Sequence, residues 1–124
     1  MSDENEIPTA ATFADDASEA IRAINHLTLA AKLPAPEVYR ILGNLKGVGD
    51  RLPQTLTQLA SGLGRSLNEY SVTQDDGGDP VQAVATATDH LTRAAQLAAE
   101  LGVELDRAQA AISHLGYREN STPE

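Results

Sequence analysis

Leu52, Leu56, Leu59, Leu63 and Leu67 recur at steps of three or four residues, and Val38, Ile41, Leu45 and Val48 precede them in the same rhythm. Residues spaced this way share one face of an α-helix but scatter over both faces of a strand. The stretch can therefore bury its leucines together only as helix. A second stripe runs through Ala83, Ala87, His90, Ala94, Leu97 and Leu101, and resumes after Gly102 as Leu105, Ala108, Ile112 and Leu115. The four-residue step from Leu101 to Leu105 reads as a stutter in a heptad. With one Phe, three Tyr and no Trp, a core must come from Leu, Ile, Val and Ala, and the abundant alanine favours helix.

Punctuation residues divide these stripes. Thr12 followed by Asp15 resembles a capping box, so a first helix is expected from about Thr12–Asp16 to Leu33, where Pro34 and Pro36 stop it. A second helix starts at Pro36 and is expected to end at Gly47 and Gly49. Asp50 then caps a third, with Pro53 in its first turn. Ser71–Asp79, with Asp75-Asp76-Gly77-Gly78, is the clearest loop, and Asp79-Pro80 opens the last helical stretch, a long helix expected to cross Gly102. The expected fold is all-α: an antiparallel bundle of four or five helices. It comprises an acidic disordered tail over 1–12, a single helical-bundle domain over 13–117 and a frayed tail over 118–124. Ala60, Gly64 and the alanines of the last helix would let helices approach closely.

A short internal repeat adds a constraint on architecture. Ala23, His26, Leu27, Thr28, Ala30, Ala31 and Leu33 match Ala87, His90, Leu91, Thr92, Ala94, Ala95 and Leu97, without a gap. The copies suggest two related helical units and an internal pseudo-repeat, with His26 and His90 in equivalent places. Past Leu33 the copies diverge at Pro34.

The net charge of −9 argues against general binding to nucleic acid or anionic membrane. With no cysteine, a disulfide framework is excluded, which suits a cytoplasmic setting. No run of 18 apolar residues suggests a membrane span, and the acidic Met1–Glu6 does not resemble a secretory signal. Arg40, Lys46, Arg51 and Arg65 stand in a locally basic stretch. They are the candidate nucleic-acid contacts of a small DNA-associated regulator.

Other chemistry is thin. Neither His26 nor His90 has a second ligand four residues on, and His114 suits a helix C-terminus. Asp75, Asp76 and Asp79 lack the terminal Glu of a calcium loop. The glycines around Lys46, and Gly62 and Gly64, follow no strand and lack the P-loop order. No local signature joins Ser or Thr to a base and an orienting group. No catalytic residue, metal site or cofactor is therefore assigned.

Ala20-Ile21-Arg22-Ala23-Ile24-Asn25-His26 and Leu45-Lys46-Gly47-Val48-Gly49-Asp50-Arg51-Leu52-Pro53-Gln54 resemble small helical proteins of actinobacteria, some carried on mobile elements. This resemblance covers about half the chain and implies no site residues. In size the chain is also similar to secreted helical-hairpin substrates, although it lacks the Trp-x-Gly turn that marks them. The function expected from the residues is a non-enzymatic protein–protein interaction module that associates with itself, a dimer above all. Leu52, Leu56, Leu59, Leu63, Leu97, Leu101 and Leu105 form the candidate interaction stripe. A DNA-associated protein and a secreted helical-hairpin substrate are the alternatives.

Overall fold

The computed structural model describes residues 7–120. It contains three α-helices and, among the described residues, no strand: α1 (Ala10–Thr28), α2 (Ala35–Glu69) and α3 (Pro80–Ala111). The all-α class agrees with the sequence; the expected four or five helices do not. By its contacts the described chain falls into two compact units that divide between Leu33 and Pro34.

In the first unit, α1 starts three residues ahead of the expected domain boundary. Thr9, not Thr12, is the N-cap, its hydroxyl accepting from the Thr12 N–H at 3.2 Å. Of the expected acidic tail, residues 1–6 lie outside the described residues, as do residues 121–124 of the expected frayed tail. Helix α1 also ends early, at Thr28 instead of Leu33. The Thr28 hydroxyl bonds back to the Ile24 carbonyl at 2.8 Å, Leu29 turns extended, and Ala30 sits in the left-handed region at φ 58°. The two prolines therefore begin the next unit and do not terminate this helix. A left-handed alanine costs about 1–2 kcal/mol. Ala30→Gly is therefore expected to slow amide exchange in the last turn of α1 roughly fivefold to tenfold, since glycine adopts this conformation freely. Unchanged exchange would show that Ala30 does not hold that conformation.

The second unit is an antiparallel hairpin. Helix α2 runs 35 residues, without interruption, through Gly47, Gly49 and Pro53, so the expected second and third helices are one. The glycines do not end it, and Asp50 caps nothing. Five glycines and a proline inside α2 cost roughly 7 kcal/mol relative to alanine, so local preference alone would break it. The 32-residue α3, packed along its length, acts as the splint. Helix α3 begins as expected, Asp79 accepting from the Val81 N–H at 3.0 Å with Pro80 in the first turn, and it crosses Gly102 without a break.

The inward row of α3 is Val84, Thr88, Leu91, Ala95, Ala98, Gly102, Leu105, Gln109 and Ile112, each buried or half-buried. These steps alternate four and three throughout, an unbroken heptad. The stutter disappears because Leu97 and Leu101 do not belong to the seam. The facing row of α2 is Val38, Leu42, Leu45, Gly49, Leu52 and Leu56. At the open end the Gln109 amide donates to the Tyr39 carbonyl at 3.1 Å.

Candidate interaction surface

The hairpin is pinched where Gly49 meets Gly102. A Cβ built on Gly49 would lie 3.0 Å from both Cα and N of Gly102, and 3.5 Å from the Ala98 carbonyl oxygen. Gly49, Ala98 and Gly102 are the three buried residues of the described chain. Close approach therefore happens here, not at Ala60 and Gly64 as the sequence suggests; Gly64 has open space where a Cβ would stand. Pro53 adds to the irregularity. It has no N–H, so it cannot donate to the carbonyl of Gly49, four residues back.

One side of the hairpin at this pinch is polar. Lys46 donates to Asp50 at 2.8 Å. This bond, the attraction of Asp50 and the weaker attraction of Asp106 from α3 hold the Lys46 ammonium above the ordinary lysine value. Its stabilising share is thus present below that value and lost as pH rises through the raised one. The other side is apolar. An antiparallel helix pair has a local two-fold axis perpendicular to its plane, so residues just before the two pinch glycines lie on the same side. These are Val48 and Leu101, 47% and 48% exposed. Leu52 and Leu59 continue the row on α2, and Ala94 and Leu97 on α3, by steps of three, four or seven.

The candidate stripe therefore splits. Leu52, Leu56 and Leu105 are half-buried in the hairpin, while Leu59 (54% exposed), Leu63, Leu97 (64%) and Leu101 face outward. The sequence treats all seven as one stripe because seam and flank share the same steps of three and four. Gly49, Ala98 and Gly102, the residues that set the seam, carry too little side chain to register in an apolar count.

Of the candidate nucleic-acid contacts, Lys46 is tied to Asp50, whereas Arg40, Arg51 and Arg65 are exposed and fall within about 40° of arc on an ideal helix. Their row is continued by Asn44, Gln54 and Gln58 and ends on a carboxylate, Glu69, in the last turn of α2. In the connecting loop, the Asp76 carboxylate accepts from the Gly78 N–H at 2.9 Å and the Gln74 amide at 2.7 Å. The backbone bond first, then the Gln74 bond, keeps its pKa below the usual carboxylate value. Gly77 closes the turn at φ 81°. Asp76 is thus a structural turn residue.

His26 and His90 are both exposed, and His90 Nδ1 lies 3.4 Å from the Arg93 guanidinium. The repeated segments are both helical only up to Thr28 and Thr92. Beyond that the first copy leaves the helix while the second continues. Leu27 is exposed where Leu91 is half-buried, so the shared side chains do different work. No group of three His, Cys, Asp or Glu side chains among the described residues is arranged to hold a metal ion. None of the described helices is long and apolar enough to cross a membrane.

No protein-family model, curated protein or solved structure matches the chain.

Proposed function

We propose that the protein is a non-enzymatic helical interaction module that associates with itself. The observation that carries this reading is the distribution of leucine in the hairpin. Ala98 is the one buried apolar side chain among the described residues, while Leu59 and Leu97 are more than half exposed. A two-helix seam shields too little apolar surface to offset the entropy of ordering two long helices. Contiguous exposed apolar rows on such an element mark an association surface. Helix α2, with its glycines and proline, has most to gain from a further neighbour.

Light scattering on the full chain is expected to give twice the mass of one chain. Leu59→Asp is expected to lower the association constant by about tenfold or more while the helical circular dichroism at high concentration persists, because Leu59 is half exposed within one copy. A full chain that remains monomeric at all accessible concentrations would overturn the reading.

One observation favours a second reading, a secreted helical-hairpin substrate: α2 and α3 form a two-helix hairpin joined by a short link over 70–79. The chain lacks Trp and hence the turn typical of that group. Detection of the protein in the medium of cells producing it, and its loss on deleting the link, would support export.

A further inference from the structure

We infer that the self-association proposed above is a face-to-face dimer of hairpins, related by a two-fold axis parallel to the helices, with α2 of each copy over α3 of the other. The inference rests on that reading and adds its surface and geometry. The two sides of the hairpin are unequal. Lys46, Asp50 and Asp106 occupy one, and Val48, Leu59, Ala94, Leu97 and Leu101 mark the other. Only the second offers apolar rows on both helices.

Its size is adequate. From Ile41 to Leu63 the face is about 33 Å long, and two helices 8–10 Å apart make it about 18–20 Å wide. The area is on the order of 600 Å² per copy, close to the ~800 Å² per partner of a standard stable interface.

Charge selects the orientation. Arg51 borders the apolar side on α2, and Glu104, with Glu100 beyond it, borders it on α3. The meeting of Gly49 with Gly102 fixes the register and puts Arg51 at the height of Glu100. A two-fold parallel to the helices preserves height, so Arg51 of each copy comes beside Glu100 and Glu104 of the second copy. All neighbouring helices then run antiparallel, as in an up-and-down four-helix bundle. A two-fold perpendicular to the helices at the pinch would instead stack α2 on α2 and bring Arg51 toward its own copy. Like charges opposed across an interface are unfavourable.

The chain has no cysteine, so introduced thiols report without interference. In the full chain, Arg51→Cys with Glu100→Cys is expected to be joined into a covalent dimer by a thiol-reactive cross-linker about 10 Å long. Arg51→Cys with Asp106→Cys, on opposite sides, is expected not to be. Leu97→Glu with Leu101→Glu should give a helical monomer, and Val103→Glu, on the polar side of α3, should leave the dimer intact. Arg51→Glu is expected to weaken the dimer roughly tenfold, because symmetry repeats the pair twice, and Glu100→Arg in the same chain to restore it. A dimer indifferent to the Leu97 and Leu101 changes overturns this face but leaves self-association standing. A dimer that needs those leucines yet ignores the Arg51–Glu100 exchange and does not cross-link overturns the orientation. A wild-type chain that is monomeric overturns both this inference and the reading beneath it.

Discussion

Gly49→Leu is expected to open the hairpin, lowering stability by about 1–3 kcal/mol and the midpoint of thermal unfolding by about 5–20 °C. The estimate follows from what surrounds the glycine. A single added carbon already stands 3.0 Å from backbone atoms of Gly102, and backbone cannot rotate away as a side chain can. Three further carbons must be housed by moving α3 outward, which strips the seam from Leu45 to Leu52 of its contacts. Gly102→Ala makes the contrast. Its Cβ would meet Asp50 Oδ1 at 2.6 Å, but the nearest backbone, Asp50 N and Gly49 C, only at 3.5 Å. The Asp50 carboxylate can swing aside at the expense of its solvent-screened pair with Lys46, a weak contribution. Alanine regains up to about 1 kcal/mol of helix preference. Gly102→Ala is therefore expected to be neutral or mildly stabilising while Gly49→Leu is severe. Thermal melts of the two variants at one concentration check this. Equal effects would mean that the two glycines do not define the crossing.

What the sequence made legible was helix and its ends where side chains cap it. Asp79-Pro80 and Pro36 mark true starts, because a cap and a first-turn proline act within one turn. What it hid was the outcome of competition between local preference and packing. Gly47, Gly49 and Pro53 all argue for a break in α2, and no local signal reveals that α3 will lie alongside and hold the helix through them. The same blindness moved the seam. Leu97 and Leu101 look like core because they are large, whereas Ala98 and Gly102 are the core because they are small enough to let two backbones meet. Once Gly102 is given a seam position, the irregular step between Leu101 and Leu105 resolves into a heptad through Ala98, Gly102 and Leu105. Of the candidate stripe, Leu52, Leu56 and Leu105 are half-buried in the hairpin, whereas Leu59, Leu63, Leu97 and Leu101 are exposed.

Pro53→Ala is expected to stabilise the hairpin by about 2–3 kcal/mol, raising its thermal midpoint by roughly 10 °C or more. Proline inside a helix withholds one hydrogen bond and crowds the carbonyl four residues back, which here belongs to Gly49. Helix α2 nonetheless continues to Glu69, so the packing against α3 must sustain that loss. Alanine would supply the missing N–H to Gly49 and remove the ring. The location gives the experiment a second reading. Gly49 is also where the helices are closest, and a proline bends a helix at this point. If the bend is what brings Gly49 onto Gly102, straightening α2 would draw the two glycines apart and cancel the gain. A combined Pro53→Ala and Gly49→Leu variant separates the cases. Independent effects should add to within about 0.5 kcal/mol. A bend that serves the crossing would instead make Gly49→Leu less damaging in the alanine background, because a straighter α2 leaves more room for the added side chain. A Pro53→Ala variant that melts at the wild-type temperature, with the two changes strictly additive, would show that the proline neither strains α2 nor shapes the crossing.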